Sequence, residues 1–423
     1  MIMDNAIPKD WKWVSIGEVA EINPKIPNRD VISDDLEVQF LPMKLVEELS
    51  GKIHLIETRP YGEVKKGYTP FINNDVIFAK VTPCMENGKI ALVDHLKNEI
   101  GFGSSEFHVV RSKENLLSKY AFYYVLQQRF RNDAEHAMTG AVGLRRVPKQ
   151  FIENYKLPLP SFTQQQQIVS KIEEFFSELD KGIEELKTAQ QQLKAYRQAV
   201  LKWAFEGKLT NTDVKEGELP KGWKLLSVRE VADINPKLPN KELIKDDLEV
   251  QFLPMKLVEE IVNKVHLIDT RKFAEVQKRS YTPFVSGDII FAKVTPCMEN
   301  GKIAVVDNLK NGIGYGSSEF HVLRCSKNIL NTYLFYFLVQ DKFRNEAQQA
   351  MTGAVGLRRV PKQFIENHLL PLPTTSEQQQ IVQEMESRLS VCDKIEETIT
   401  NTLKQSEALR QSILKKAFEG KLA

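Results

Sequence analysis

The chain has 423 residues, of which 42% are hydrophobic and 27% charged, and its formal net charge is +2. This is the balance of a globular protein with several cores, and it excludes a strongly basic free-standing nucleic-acid domain, so any footprint for DNA must be local or shared with a partner. Cys84, Cys297, Cys325 and Cys392 are isolated and the histidines have no ligand spacing, which argues against a zinc site or a disulfide framework; nothing resembles a signal peptide or a bilayer-spanning stretch, and a cytoplasmic location is expected.

The chain is written twice. PKDWK at Pro8 returns as PKGWK at Pro220, and DDLEVQFLPMKLVEE at Asp34 returns at Asp246. FAKVTPCMENGKIA, GSSEFHV and MTGAVGLRRVPKQFIEN start at Phe78, Gly103 and Met138, and again at Phe291, Gly316 and Met351, with one residue inserted between Arg271 and Tyr281. The repeat is too long for a solenoid unit and reads as a duplicated pair of a globular block and a second kind of segment.

Each block reads as mixed α+β. Asp75–Val81 and Lys89–Val93 have strand composition, and the TPCMENG loop between them ends in the Asn-Gly of a hairpin. Ser105–Arg111 is a third strand. Glu114 to about Met138 has helical spacing, with Leu117, Tyr120, Tyr124 and Leu126 as its apolar positions. A glycine-containing loop, TGAVGLRRV, follows. Pro148 then opens a short helix, and LPLP closes the block. GFGSSE at Gly101 lacks the third glycine of a dinucleotide fingerprint.

Two loops per block carry groups suited to reading DNA. The hairpin tip offers Thr82, Glu86 and Asn87 to base edges and Lys80 and Lys89 to phosphates; its repeat offers Thr295, Glu299, Asn300, Lys293 and Lys302. The second loop offers Thr139, Arg145, Arg146, Lys149 and Gln150, repeated as Thr352, Arg358, Arg359, Lys362 and Gln363. Gly140 and Gly143 there allow a close backbone approach. One arginine of each pair suits a bidentate contact to guanine and its neighbour a phosphate. Surface salt bridges and satisfied turns are the competing reading of each position.

From Gln164 to Phe205 there is no proline and only one glycine, Gly182. Ile172, Leu179, Leu186, Leu193 and Val200 recur on one seam, and Ile168, Phe175, Ala189, Tyr196 and Trp203 on another, the pattern of a coiled coil. Thr163 with Gln166, and Ser376 with Gln379, have capping-box spacing. QQQQ reads as helix surface, and Gly207 and Gly420 stand where a helix stop is expected. The repeat helix has a weaker seam: Ile381, Met385, Cys392, Ile395, Ile399, Leu409 and Ile413, interrupted by Arg388, Thr402 and Ser406. Each helix would span roughly 60 Å. Such a stripe needs a partner, which the sister helix, the helix's own block or a second molecule could supply. The organisation expected is a block over 1–162, a helix over 163–208, a polar linker over 209–219, a block over 220–375 and a helix over 376–423.

The order block, helix, block, helix, together with P-x-x-W-K, SSEFHV, the LPLP exit and QQQIV…AFEGKL in both halves, resembles the specificity subunits of type I restriction-modification enzymes over essentially the whole chain. The resemblance implies two target recognition domains reading a bipartite site in inverted orientation, and an antiparallel coiled coil with an internal pseudo-twofold that sets the spacer. It implies double-stranded DNA and two methyltransferase subunits as partners, with restriction and translocase subunits in the full complex and no membrane. S-adenosylmethionine, ATP and Mg are expected on those partners. The chain itself has no Walker loop, nucleophile elbow, H-E-x-x-H or N-P-P-Y/F motif, so a non-catalytic recognition subunit is expected, with a protein-binding coiled-coil adaptor as the alternative. Because the two copies carry the same reading loops, the expected target is an interrupted palindrome, unless the differences at Asp30/Glu242, Ser33/Lys245 and Pro60–Lys66 touch bases.

Overall fold

The computed structural model describes residues 7–422 apart from Val142, Thr212, Glu216 and Val355. It divides into two compact units, one of residues 1–186 with 400–423 and the other of residues 187–399.

In the first unit the chain runs through β1 (Lys12–Ser15), α1 (Ile16–Val19), β2 (Ala20–Ile22), β3 (Glu37–Leu41), β4 (Glu57–Pro60), α2 (Tyr61–Val64) and β5 (Thr69–Ile72). It continues through β6 (Val76–Ala79), β7 (Ile90–Leu92), β8 (Ile100–Gly103), β9 (Phe107–Ser112), α3 (Ser118–Leu126), α4 (Gln128–Ala137), α5 (Lys149–Asn154) and β10 (Lys156–Leu159), and leaves the block in a long helix, α6 (Phe162–Phe205). One sheet has the order β2-β9-β6-β7, all antiparallel; a second has the order β4-β3-β8-β5, with β3 and β8 parallel; β1 pairs β10.

Strand β6 explains the layering. All four of its residues are buried, because both faces of its sheet are covered. Val76 and Phe78 face a core with Tyr120, Val125 and Phe130 of the helices. Ile77, one step out of phase, faces the second sheet through Leu41 and Phe71, as the two-residue strand period requires. The outer face of the second sheet buries Val38, Phe40 and Phe102 under Tyr61 and Val64 of α2. The two glycines of β8 belong to this packing rather than to a ligand. A Cβ at Gly101 would lie 2.1 Å from the ring of Phe71, its cross-strand partner, and one at Gly103 would lie 2.6 Å from the Leu41 carbonyl oxygen.

The second unit repeats this with β11 (Lys224–Ser227), α7 (Val228–Val231), β12 (Ala232–Ile234), β13 (Glu249–Leu253), β14 (Asp269–Lys272), α8 (Phe273–Gln277) and β15 (Thr282–Val285). Then come β16 (Ile289–Ala292), β17 (Ile303–Val305), β18 (Ile313–Gly316), β19 (Phe320–Cys325), α9 (Asn331–Val339), α10 (Asp341–Gln349), α11 (Lys362–Asn367), β20 (Leu369–Leu372) and the second long helix, α12 (Thr375–Phe418). Its sheets have the orders β12-β19-β16-β17 and β14-β13-β18-β15, with β11 on β20. The helix expected over Glu114–Met138 is two helices in each copy. Gln127 takes ψ 142° between α3 and α4 and is held there by its own amide, which donates to the Tyr124 carbonyl.

The long helices α6 and α12 have 44 residues each. Their caps sit two residues earlier than the spacing predicts. Ser161, not Thr163, bonds Gln164 in both directions, and Thr374, not Ser376, accepts the Glu377 N–H. The helices start directly after the LPLP strands, so Thr163 and Ser376 already lie in the first turn. Gln165 is not surface either: it is fully buried, accepting the Leu117 N–H and donating to the carbonyls of Asn115 and Pro160. Gln378 repeats the arrangement in the second unit.

In each unit the two long helices contribute opposite ends and run antiparallel. In the first, Asp180 pairs with Arg410, while Gln164, Ile168 and Lys171 share a cleft with Ala417, Gly420 and Leu422. In the second, Arg197 binds Asp393 and Glu396, and Thr210 and Asn211 bind Glu377. The ends also pack on the blocks, so the sister helix and the globular domain share the apolar stripe. Phe418 of α12 lies edge-on to Tyr120 and Tyr124, and Phe205 of α6 packs on Tyr333 and Phe337. Gly207 and Gly420 end the helices with φ of 76° and 69°; a side chain there would meet Pro220 and Pro8 at 2.1 and 2.3 Å. The opening P-x-x-W-K motif of each block is thus the packing partner of a G-K-L helix end. Along the seams Leu193, Val200, Cys392 and Ile399 are buried, whereas Tyr196, Ile395 and Leu409 are exposed.

Candidate nucleic-acid interface

The two loops singled out in each copy are neighbours. Beyond β6 the chain stays extended, and the Val147 N–H donates to the Lys80 carbonyl at 2.8 Å while the Thr82 N–H donates to that of Arg145 at 3.2 Å. Thr139 and Arg146 close the second loop by donating to each other's carbonyls at 3.0 and 2.8 Å. The second unit has the same bonds at Val360–Lys293, Thr295–Arg358 and Thr352–Arg359. The hairpin tip and the arginine loop therefore form one surface on each unit.

Within that surface the residues divide into held and exposed groups. Lys89 donates its ammonium to the Val46 carbonyl at 2.7 Å and Lys302 donates to that of Val258 at 3.2 Å. Asn87 is bonded to Glu48, and Asn300 to Glu260. Glu86 and Glu299 offer their backbone carbonyls to the buried guanidiniums of Arg131 and Arg344. Thr82 and Thr295 direct their hydroxyls at the sulfurs of Met138 and Met351. Lys80 and Lys293 are half-buried near Glu106 and Glu319. Most of the hairpin tip is thus a braced support.

The second loop is more open. Thr139, Arg146, Lys149 and Gln150 are exposed, as are Thr352, Arg359, Lys362 and Gln363. Arg146 grips Glu106 with Nε and Nη2 at 2.9 and 2.7 Å, and Arg359 grips Glu319 at 2.8 and 2.7 Å; these bonds hold both carboxyls below the usual carboxylate range. Lys149 and Lys362 make i,i+4 pairs with Glu153 and Glu366, of the kind worth ~0.3–0.5 kcal/mol and readily exchanged for a phosphate. Arg145 approaches Glu135 only to 3.8 Å. Arg358, opposite Gln348 instead of a carboxylate, donates to the carbonyls of Gln348 and Met351. In both copies the first arginine of the pair is the one without a bidentate carboxylate.

Sequence reasoning missed the residues that hold the loop. His108 is buried and bonds the Val147 carbonyl through Nε2 at 2.8 Å, while Nδ1 faces the Asn23 amide at 3.1 Å. Burial pushes its pKa down to about 4, so the ring is neutral, with the proton on Nε2. His321 makes the same bonds to Val360 and Asn235. Glu106 and His108 both lie in SSEFHV, the repeat motif that was their only signal. Among the described residues no cluster of His, Cys, Asp or Glu could hold a metal, and no helix is long and apolar enough to cross a membrane.

A family model described as the type I restriction modification DNA specificity domain matches residues 8–188 and again residues 220–405. The specificity subunit of the EcoAI type I restriction enzyme of Escherichia coli is 37% identical over 201 residues, which is 47% of this chain and 33% of that subunit; the match thus spans about half of one and a third of the other. The MjaVIII specificity subunit of Methanocaldococcus jannaschii is 24% identical over 98% of this chain and 94% of its own. Among solved structures, a chain from a study of assembly and conformational transition of the type I R-M system has a TM-score of 0.77 at 20% identity, covering 98% of this chain and 99% of its own. The HsdS subunit from Thermoanaerobacter tengcongensis has a TM-score of 0.62 at 20% identity, with 98% of each chain covered. These two likenesses establish the fold.

Proposed function

Because the chain belongs to the type I restriction-modification DNA specificity family, we propose that each unit reads one half of a bipartite DNA site with the surface around Thr139–Gln150 and its repeat, Thr352–Gln363. The observation that carries this reading is one bonding pattern made twice: the same loop closure, the same bidentate Arg–Glu brace and the same buried histidine under the loop. Such bracing fixes a reading element before DNA arrives, which limits the ordering cost of binding.

In this reading Arg145 and Arg358 are the base readers, and a good bidentate contact to guanine contributes ~1–3 kcal/mol of discrimination. Arg146 and Arg359 shape the loop, and Lys149 and Lys362 meet phosphates. Matching readers in inverted orientation specify an interrupted palindrome, with half-sites ~10 base pairs or a little less apart, centre to centre. Methyltransferase subunits dock on the long helices, carry S-adenosylmethionine and methylate adenine, and ATP and Mg belong to further subunits. The partners supply most of the non-specific phosphate attraction, in keeping with the low net charge of this chain.

The test combines Arg145→Ala with Arg358→Ala in the complex with its methyltransferase subunits. The expected result is intact assembly with affinity for the target duplex reduced at least ~30-fold, the smaller end of two lost contacts. Unchanged binding removes both arginines from the interface, and wild-type complex that retains no duplex favours a protein adaptor instead. Methylation sequencing that returns two unlike half-sites overturns the palindrome.

A further inference from the structure

Among the differences between the two units, one gathers cations. In the first, Arg59 of β4 stacks 3.7 Å above the Phe40 ring and is bound twice by Glu57, at 3.0 and 2.6 Å. Gly67 follows in the chain with open space around it. In the second, three changes act together. Asp269 replaces Glu57 and, one methylene shorter, reaches Arg271 only at 3.5 Å. Arg279 stands in place of Gly67, and Ser280 is inserted after it. Arg271 keeps its seat over Phe252 at 3.4 Å, so its guanidinium plane is fixed while most of its donors are released. Arg271 and Arg279 both reach the Tyr281 hydroxyl at 3.4 Å, and these two cations draw the phenol's pKa down. A surface cavity of about 450 Å³ opens between Arg271, Lys278, Arg279, Glu275 and Ala274.

We propose that this cavity is a phosphate-binding site present on the second unit alone, and that it takes a DNA backbone phosphate flanking the half-site that unit reads. The proposal rests on the DNA-reading function above. Two guanidiniums and an ammonium around one opening outnumber the two carboxylates near them, Glu275 in the lining and Asp269 beside Arg271, which favours a doubly accepting anion, and the planar fork of arginine matches phosphate oxygens. Backbone connectivity ties the site to the reading surface. Arg271 is the register partner of Val250 on β13, and β13 runs on into the segment where Val258 and Glu260 hold Lys302 and Asn300 of the hairpin tip. At ~3.3 Å per residue the eight residues from Val250 to Val258 bound the separation at ~26 Å, about eight phosphate spacings along one strand and suited to a flanking phosphate. The bases read on the two sides are then the same, but the grip on the backbone is not.

The experiment measures binding of the full chain, in complex with its methyltransferase subunits, to a mixed-sequence 40-base-pair duplex, with KCl varied from about 50 to 200 mM, a range over which phosphate contacts dominate the salt dependence. R279G restores the residue of the first copy and leaves Phe252 covered. It is expected to lower the steepness of log K against log salt by about 0.9, the value of one phosphate contact. R271Q/R279G lowers it further, whereas R59Q/K66Q in the first unit leaves it unchanged. Thermal melts of each variant, expected to match wild type for R279G, report folding. An unchanged slope in R279G, or an equal loss in R59Q/K66Q, overturns the asymmetric site while leaving the reading loops standing. Wild-type complex that binds no duplex at any salt overturns the DNA reading and this proposal together.

Discussion

Replacing Phe418 with alanine should destabilise the first unit, most of whose residues lie at the other end of the chain. Phe418 is 5% exposed and lies edge-on to Tyr120 and Tyr124 with ring centroids 4.9 and 5.0 Å away. Phe-to-Ala truncation in a packed core costs ~3–5 kcal/mol, within which each edge-on pair contributes ~0.5–1.5 kcal/mol. The lower bound corresponds to at least a hundredfold rise in the opening equilibrium, about tenfold for every 1.4 kcal/mol. Native-state hydrogen exchange reads this locally, on peptides covering Ser118–Leu126 and Asn331–Val339. Phe418→Ala is expected to strip protection from the first peptide and spare the second. Phe205→Ala, which removes the ring against Tyr333 and Phe337, should do the reverse. Equal loss in both peptides, or a change below about threefold, would refute the assignment of the chain's last turn to the first unit's core.

Acid should weaken the first unit as the pH falls from 6.5 towards 4. The folded pKa of His108 is near 4 against 6.5 unfolded, so the neutral ring's contribution is complete above pH 6.5 and drains as the pH falls towards 4. At pH 4.5 the loss is ~2–3 kcal/mol by linkage; urea melts at pH 7 and 4.5 measure it, and His108→Asn should flatten the difference. Gln165→Ala leaves the Leu117 N–H and two carbonyls without their partner, an expected cost of ~2–5 kcal/mol, whereas Gln166→Ala on the exposed side should stay within ~1 kcal/mol in the same melts. Gly182 sits inside α6, and a Cβ there would meet nothing within 4 Å. Gly182→Ala should raise stability by ~0.5–1 kcal/mol, and a lowered melting temperature would mean that the helix uses that glycine.

How far the residues alone could be read depends on whether a feature is local. The duplication, the strands around Phe78, the short helix after Pro148 and the long helices with glycine stops all follow from patterns a few residues wide, because period, caps and turns act over a few residues. The break at Gln127 was hidden, since it is made by burying Leu126 and Phe130 on either side of a bend rather than by a breaker residue. Gln165 looked like surface among its neighbours because the carbonyls it satisfies lie outside its own helix.

The residue order by itself determined that one block and one helix occur twice, and which loops carry the arginines. Only the tertiary structure decided which arginine of each pair is tied to a carboxylate, that Lys89 and Asn87 brace the hairpin, and that the last turn of the chain completes the first unit. The physical reason is that ion pairs, buried carbonyls and aromatic contacts join residues far apart in the chain. Their partners are chosen by packing, and no local pattern encodes that choice.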